Sequence, residues 1–250
     1  MNRFRMSGLI FATLMSVASL SVMSLQAQDA SATKGKPKAK KVPAHFQPPA
    51  VQAGLPNVLL IGDSISIGYM QATRKQLAGE ANVWRPPTNC GPSTRGLESL
   101  DDWLGDRKWD VIHFNFGLHD LKYMGPNNEN LADPKGETSH QQVPIDQYVA
   151  NLKKIAERLK KTGATVIWCE TTPVPEGAAG RVVGDSERYN EAAAKALAEV
   201  GGIEIDRLYD HALDHAEQKK ANVHYSQAGS EKLAEQVAAS VRAALKTHGR

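Results

Sequence analysis

The sequence is poor in cysteine, with Cys90 and Cys169 as the only two among 250 residues. A framework of several disulfides is therefore excluded. Each cysteine follows a different predicted strand, so we expect two partly buried thiols. In an oxidising compartment outside the cytoplasm, one disulfide between them would be possible. No cysteine lies near the end of the N-terminal hydrophobic segment, which excludes a lipid anchor attached to a cysteine at that point.

The sequence also lacks internal repeats and a strong net charge. Hydrophobic residues make up 41% of the chain, and the formal net charge is +3. This composition excludes a fibrous or wholly disordered chain and is typical of a globular enzyme. A length of 250 residues predicts one domain with appendages.

One long hydrophobic run is present at residues 9–25, and hydroxyl side chains interrupt it. Two arginines precede this run and small residues follow it, which is the pattern of a secretory signal peptide. We assign residues 1–27 to the signal peptide; cleavage after Ala32 and an uncleaved membrane anchor are the alternatives. Cleavage predicts a secreted or periplasmic protein with no membrane span.

Residues 28–56 form a second appendage, a Lys/Pro-rich linker. Five lysines and five prolines occur in this segment, so it cannot bury a core, and we predict a solvated, semi-extended chain. The linker and the two arginines before it carry the excess positive charge, which leaves a formal charge of −3 on residues 57–250. A mildly acidic domain gives no reason to expect nucleic-acid binding. An anionic surface is an alternative partner for the lysines.

From residue 57 onward, patterns typical of strands alternate with patterns typical of helices. The predicted strands are short, apolar and β-branched or aromatic, as strands buried on both faces are. They cover residues 58–61, 82–84, 110–116, 165–168 and 203–205. The predicted helices cover residues 65–77, 95–104, 145–161, 186–200 and 227–245. This alternation predicts an α/β fold, a three-layer α/β/α sandwich around a five-stranded parallel sheet, over residues 57–250.

The carboxyl ends of parallel strands form the active-site edge of such a sheet. Ser64 follows the first predicted strand after a Gly-Asp turn and begins a helix, which exposes a nucleophile beside free N–H groups. The next loops carry Gly91, then His119 and Asp120, and His224 precedes the last predicted helix. A serine, a glycine turn and a late histidine at one edge indicate a serine hydrolase.

These motifs make residues 57–244 resemble the SGNH (GDSL-like) hydrolases, which are secreted or periplasmic esterases and lipases with a flavodoxin-like sandwich. Four sequence blocks of that family have counterparts here. They are residues 62–66 (Gly-Asp-Ser-Ile-Ser), 91–94 (Gly-Pro-Ser-Thr), 117–120 (Gly-Leu-His-Asp) and 221–224 (Ala-Asn-Val-His).

The resemblance implies roles for individual residues. Ser64 is the expected nucleophile, His224 the expected base, and Gly91 an expected donor to the oxyanion. His119 occupies the position of the family's oxyanion asparagine. A neutral imidazole also donates an N–H, so this replacement conserves the donor.

The acid of the family's last block is missing, because Ala221 occupies the aspartate position. That aspartate orients the histidine and stabilises its cationic form. Three outcomes stay open: a carboxylate from elsewhere replaces it, a backbone carbonyl orients a Ser–His dyad, or the site is inactive. Asn222 can also accept the N–H without bringing a charge, and Asp63 and Asp120 are expected to support their loops. The candidate carboxylates are Asp210, Asp214, Glu170 and Glu176.

Together, the residues and the resemblance predict an exported serine esterase acting on small-molecule or carbohydrate esters. The alternative is a weak or inactive relative that binds glycans or acylated ligands. No cofactor or metal is expected, because His211 and His215 have a metal-binding spacing but no third ligand. Residues 122–143 are too long for a simple connector and, with residues 177–184, are expected to wall the substrate site. Arg181 is expected to be exposed, with an anionic substrate group as the alternative contact.

Overall fold

The computed structural model describes residues 42–247. The predicted signal peptide, residues 1–27, and the first part of the predicted linker, residues 28–41, lie outside the described residues. Residues 42–247 contain seven strands: β1 (Asn57–Ile61), β2 (Asn82–Trp84), β3 (Val111–Phe114), β4 (Tyr123–Met124), β5 (His140–Gln141), β6 (Thr165–Cys169) and β7 (Ile203–Asp206). The described part of the chain also contains six α-helices: α1 (Ser64–Gln76), α2 (Ser93–Leu104), α3 (Ile145–Lys160), α4 (Asp185–Val200), α5 (Leu208–His215) and α6 (Gln227–Thr247).

Five of the strands form a parallel sheet in the order β2-β1-β3-β6-β7. In the register of this sheet, Val58 of β1 pairs with Val83 on one side and Val111 on the other. All three side chains are buried, because helices cover both faces of the sheet. The predicted α/β/α sandwich with a five-stranded parallel sheet is confirmed.

The helices form two layers. Helices α1 and α6 pack against each other with α5 beside α6, while α2, α3 and α4 pack in series. Each helix buries an apolar stripe; in α3 the stripe includes Tyr148, Leu152, Ile155 and Leu159. Among the described residues, no helix is both long enough and apolar enough to cross a membrane.

Three details differ from the sequence-based expectation. Strand β3 covers Val111–Phe114 rather than residues 110–116, and the Asn115 carboxamide that follows it donates to the carbonyls of Cys169 and Glu170 at 2.9 and 3.1 Å. Helix α5 was not predicted. Residues 122–143 contain the antiparallel β4–β5 pair, whose strands of two residues are too short to show periodicity.

The end of the predicted linker is hydrogen-bonded to the domain. Residues Ala44–Phe46 form a 3₁₀ turn, and Arg74 of α1 donates to the carbonyls of Ala44 and Gln47 at 3.2 and 2.8 Å. The buried Asn82 side chain accepts from the Gln52 N–H at 2.8 Å and donates to the Gln52 carbonyl at 3.0 Å. Residues 44–52 are thus largely exposed but anchored at two points.

Candidate active site

Ser64 is the first residue of α1, and Asp63 fixes the turn that precedes it. The buried Asp63 side chain caps the helix by accepting a hydrogen bond from the Ile65 N–H at 2.9 Å. The Ser64 N–H has no hydrogen-bond partner among the described residues. Ser64 is therefore presented at a helix N-terminus, where a free N–H and the helix dipole stabilise a developing negative charge.

His224 lies on the loop before α6, and its Nε2 atom is 2.9 Å from Ser64 Oγ. The Lys219 N–H donates to the His224 carbonyl at 2.9 Å, and Ser226 Oγ accepts from the Gly229 N–H of α6 at 3.0 Å. Both bonds fix the loop. The distance between Nε2 and Oγ is that of a hydrogen bond in which the serine hydroxyl donates to the ring nitrogen.

The second ring nitrogen of His224 contacts Asn222. The carboxamide Oδ1 of Asn222 accepts from the His224 backbone N–H at 3.0 Å and lies 2.7 Å from His224 Nδ1. Because a backbone N–H can only donate, the carboxamide atom facing it is the oxygen, and Nδ1 must then donate its own proton to that oxygen. A neutral ring in this tautomer has an unprotonated Nε2, which can accept the Ser64 proton.

No carboxylate bonds to His224 within residues 42–247. Ala221, at the family's aspartate position, is exposed and adopts a left-handed φ of 50°. Glu170, one of the candidate acids, is instead paired with Arg207 at 2.8 Å. The third member of the arrangement is therefore the neutral side chain of Asn222.

His119 follows β3 on a loop that its neighbours hold in place. At Gly117, with a φ of 156°, a Cβ atom would lie 1.8 Å from Thr171 Oγ1, so a side chain cannot be accommodated. The next carbonyl, of Leu118, accepts two N–H groups of Arg181 at 3.2 and 3.0 Å. The His119 ring has no hydrogen-bond partner in the described part of the chain. Burial lowers the pKa of His119, so the neutral ring has an N–H available for an oxyanion.

Gly91 lies between β2 and α2, and its N–H is already bonded. The Asn89 carboxamide oxygen accepts it at 2.9 Å, and Asn89 lines the same cavity as Ser64. Gly91 has a left-handed φ of 64°, which favours glycine. The role implied for Gly91 therefore requires the Asn89 side chain to move. Asn89 was missed from the sequence, because the motif does not show that its side chain folds back over the glycine.

Asp120 does not line the cavity and instead joins its loop to α2. Its buried carboxyl group accepts hydrogen bonds from the N–H and the hydroxyl of Ser93, the first residue of α2. Asn151 of α3 donates to the same hydroxyl at 2.9 Å. Burial is the main cause that raises the pKa of Asp120 to about 7.

A cavity of about 300 Å³ opens beside Ser64 and His224. Both segments that were expected to wall the substrate site contribute to its lining, through Lys122, Asn130, Leu131, Ala178, Ala179 and Arg181. The two walls touch, because the Tyr123 N–H donates to the Gly180 carbonyl at 2.8 Å. The expectation of an exposed Arg181 was wrong: the side chain is half-buried because it is folded against the Leu118 carbonyl.

Three metal-ligating side chains, His113, Cys169 and Asp206, come together inside the sheet, with candidate ligand atoms within 4.8 Å of one another. His113 Nε2 lies 2.9 Å from one Asp206 oxygen, and the other oxygen accepts from Gln236 at 2.8 Å. These bonds already occupy the carboxylate and connect β3, β7 and α6. None of the three lines the Ser64 cavity. His113, Asp206 and Gln236 thus form a buried hydrogen-bond network, whereas the Cys169 thiol donates to the Glu170 carbonyl at 3.5 Å. Cys90 and Cys169 are both free, buried thiols.

Sequence comparison identifies a family and one curated relative. The model of the GDSL-like lipase/acylhydrolase family matches residues 60–232. A GDSL esterase/lipase of Arabidopsis thaliana is 38% identical over 151 residues, which cover 56% of this chain and 57% of that protein. The matched region therefore spans little more than half of the relative's length.

Structural comparison finds solved proteins with the same fold. A lipase/acylhydrolase from Enterococcus faecalis superposes with a TM-score of 0.60 at 17% identity, covering 76% of this chain and 96% of that one. The acetyl xylan esterase AlAXEase superposes with a TM-score of 0.58 at 15% identity, covering 74% of this chain and 99% of that one. At these identities the similarity shows the fold alone.

Proposed function

Since the chain belongs to the GDSL-like lipase/acylhydrolase family, we propose that it is a serine esterase that hydrolyses carboxylic esters. The observation that carries this proposal is the 2.9 Å contact between Ser64 Oγ and His224 Nε2. A hydroxyl bonded to an unprotonated imidazole nitrogen is the activated form of a serine nucleophile. The adjacent cavity and the free Ser64 N–H provide room for an ester and a donor for its oxyanion.

In the first half of the proposed reaction, Ser64 Oγ attacks the acyl carbon while its proton passes to His224 Nε2. The oxyanion of the tetrahedral intermediate accepts hydrogen bonds from the Ser64 N–H and the His119 ring. The Gly91 N–H joins them when the Asn89 side chain swings away. His224 then protonates the leaving alcohol as the C–O bond breaks, which leaves the acyl group on Ser64.

In the second half, a water molecule attacks the acyl group while His224 removes a proton from that water. The second tetrahedral intermediate uses the same donors, and its collapse releases the carboxylic acid and returns the proton to Ser64 Oγ. Throughout both halves, the Asn222 oxygen keeps the proton on His224 Nδ1, so Nε2 is the atom that exchanges protons.

The substrate proposed for first tests is a small acyl ester of a carbohydrate. A cavity of about 300 Å³ is at the small end of ligand sites, which favours a short acyl group. One structural neighbour with this fold is named an acetyl xylan esterase, and acetyl xylan is an ester of this kind. Release of acetate from acetylated and deacetylated polysaccharides, compared for wild type and Ser64→Ala, tests this part of the proposal.

Export to the periplasm or the medium is proposed from the N-terminal sequence, with its arginines followed by a hydrophobic run and small residues. N-terminal sequencing of the protein recovered from fractions of a bacterial host tests it. A mature chain that begins after Ala27 or Ala32 in an exported fraction supports export. An uncut chain in the cytoplasm contradicts it.

Covalent labelling with a fluorophosphonate tests the proposed nucleophile. We expect the wild type to be labelled at Ser64, Ser64→Ala to be unlabelled, and His224→Ala to be labelled far more slowly. Ser99→Ala and His215→Ala are matched controls, because Ser99 is partly exposed on α2 and His215 is exposed on α5. Equal labelling of wild type and His224→Ala would show that His224 is not the base.

Ligand binding without catalysis is the second candidate function. Two observations favour it: the Gly91 N–H is bonded to Asn89, and the third member of the triad is uncharged. In this case the fluorophosphonate would leave Ser64 unlabelled, and an acetylated oligosaccharide would bind without turnover. Calorimetry with that oligosaccharide, in parallel with the labelling, distinguishes the two functions.

A further inference from the structure

The lining of the cavity beside Ser64 contains two cations, Lys122 and Arg181. Lys122 is buried, and its Nζ atom donates to the Asn130 carboxamide oxygen at 2.7 Å. Arg181 donates through three nitrogens to the carbonyls of Leu118 and Ala179, at 3.0–3.3 Å. Every one of these acceptors is uncharged.

Neither cation has an acidic partner. Among residues 42–247, no carboxylate oxygen lies within 4.0 Å of the charged groups of Lys122 or Arg181, although six other lysines and arginines of this region pair with acids. Lysine and arginine are rarely buried without a counterion, because the loss of hydration opposes the charge. Burial lowers the pKa of both side chains, and Arg181 also lowers the pKa of Lys122 by repulsion.

The nearby acids do not neutralise the positive charge of Lys122 and Arg181. Asp63 is the one carboxylate in the described lining of the cavity, and it already caps α1 through the Ile65 N–H. Asp120 interacts with Lys122 at longer range, but its own pKa is raised to about 7 by burial, so it is partly protonated at neutral pH. His119 is neutral for the same reason of burial.

Both cations retain donors that no described residue accepts. An ammonium group has three N–H bonds and a guanidinium group has five. The bonds described above use one on Lys122 and three on Arg181, which leaves two on each. A carboxylate has two acceptor oxygens, which match such a pair of cations in charge and in number of donors.

We propose that the substrate is an ester that also carries a carboxylate, and that Lys122 and Arg181 bind this carboxylate while Ser64 attacks the ester. This inference rests on the proposed esterase function and adds a substrate class to it. Lys122 and Arg181 are then specificity residues, which bind the substrate equally before and during the reaction and lower KM more than they raise kcat.

Two matched substrate pairs test the proposal and show whether the bound carboxylate belongs to the alcohol part or to the acyl part of the ester. Para-acetoxybenzoate and its methyl ester differ by a carboxylate in the alcohol part, while mono-para-nitrophenyl succinate and its methyl ester differ by a carboxylate in the acyl part. We expect the wild type to prefer the anionic member of one pair in kcat/KM. Lys122→Gln and Arg181→Gln are each expected to reduce that preference by about tenfold or more, mainly through KM, because a charge-assisted hydrogen bond is lost.

Arg181→Lys and Lys195→Gln are the controls. The first keeps a positive charge and is expected to retain most of the preference; the second neutralises an exposed lysine on α4 and is expected to change nothing. The preference is a ratio within one protein, so a partly unfolded variant does not distort it. A wild type that hydrolyses both members of each pair equally well overturns this inference and leaves the esterase intact. Absence of hydrolysis of all four esters overturns the esterase itself.

Discussion

At the scale of single residues, this site differs from one with an acid because the side chain hydrogen-bonded to His224 is the neutral carboxamide of Asn222. Asn222 holds the imidazole in the tautomer that accepts the Ser64 proton, which is the orienting part of the acid's role. It supplies no negative charge to stabilise the imidazolium that the proposed mechanism requires. A hydrogen bond to a charged group contributes about 1.5–3 kcal/mol, against about 1 kcal/mol between neutral groups. Under the proposed mechanism the imidazole is correctly oriented, but we expect the reaction to be slower than at a site with a carboxylate.

Substitution of Asn222 tests whether this residue orients His224 without stabilising its positive charge. Asn222→Asp is expected to raise kcat/KM by about tenfold, because the carboxylate stabilises the imidazolium in the transition state. The acidic limb of the pH profile is expected to move to higher pH, because a nearby negative charge favours the protonated ring and the base must be unprotonated. Asn222→Ala is expected to lower kcat/KM. Profiles measured with para-nitrophenyl acetate check these outcomes, and three superimposable profiles would contradict the role given to Asn222.

Substitution of His119 tests the proposed oxyanion donor. His119→Ala is expected to lower kcat by about a hundredfold to a thousandfold, as the loss of one donor does in other oxyanion holes. His119→Asn returns a carboxamide N–H to the same loop and is expected to stay within about tenfold of wild type. The measurement is kcat on para-nitrophenyl acetate, with His215→Ala as the control for loss of a histidine elsewhere. Full activity in His119→Ala would remove this residue from the mechanism.

The contact between Ser64 and His224 could be anticipated from the sequence, because each residue is tied to an element boundary. Ser64 starts α1 directly after β1, and His224 precedes α6, so the parallel sheet brings them to one edge. The closure of Asn89 over Gly91 and the burial of Lys122 could not be anticipated. Both depend on how loops fold on one another, and a loop's composition does not determine that.

At the scale of elements, the bond from Asp120 to Ser93 joins the loop after β3 to the start of α2. It thereby connects two segments of the candidate site, since His119 precedes Asp120 and Gly91 precedes Ser93. The second oxygen of Asp120 is buried and has no hydrogen-bond partner in the described region. Burial of a carboxyl group with one unsatisfied oxygen favours its protonated form, in accord with a pKa of about 7.

Stability is expected to depend on pH through Asp120. Its pKa is raised from the ordinary 3.8 to about 7, so between these values the folded protein keeps a proton that the unfolded chain has released. The contribution of this group to stability is therefore greatest below about pH 4 and decreases by about 1.4 kcal/mol per pH unit until about pH 7. Asp120→Asn keeps an oxygen for Ser93 and cannot ionise, so it is expected to become more stable relative to wild type as the pH rises.

Urea unfolding at about pH 5 and about pH 8 measures this difference. Asp102→Asn, which changes an exposed residue of α2, is the control and is expected to show the pH dependence of wild type. If Asp120→Asn also retained the wild-type dependence, the buried carboxyl would have to be ionised throughout the range.

Elements with strong hydrophobic periodicity could be predicted, and elements without it could not. Helix α3 was expected at residues 145–161 and is found at Ile145–Lys160, because its buried stripe repeats over four turns. Helix α5 has eight residues, of which only Leu208 and Ala212 are buried, so two turns show too little of a pattern. The β4–β5 pair is held by loop contacts rather than by an apolar face.

At the scale of the whole molecule, the segment before β1 is attached to the domain near the candidate site. Its Phe46 ring lies 5.4 Å from the guanidinium carbon of the buried Arg85, and Arg85 donates to the carbonyl of Gly62 at 3.2 Å. Gly62 is two residues before Ser64. The composition of residues 28–56 predicted a solvated chain, but the residues that anchor this segment lie far along the sequence, in α1 and β2. A segment's own composition does not identify such partners.

Asn82→Ala is expected to loosen this attachment. The substitution removes the acceptor of the Gln52 N–H and the donor to the carbonyls of Gln52 and Leu55, and it leaves these backbone groups without their protein partner. Because Asn82 is buried in β2, we expect a loss of about 1–3 kcal/mol in the free energy of unfolding. We also expect faster proteolysis between residues 42 and 56, since cleavage requires local release of the chain.

Mass spectrometry of limited digests locates those cuts, and urea unfolding measures the stability. Asn127→Ala is the matched control, because Asn127 is exposed and its bonds are confined to Glu129. The contacts of Phe46 with Arg85 and of Arg85 with Gly62 lead to a second prediction for the Asn82→Ala variant. If the segment supports the turn that carries Ser64, fluorophosphonate labelling should slow in parallel with the faster cutting. Faster cutting with unchanged labelling would mean that the segment is held by the domain without contributing to the geometry of Ser64.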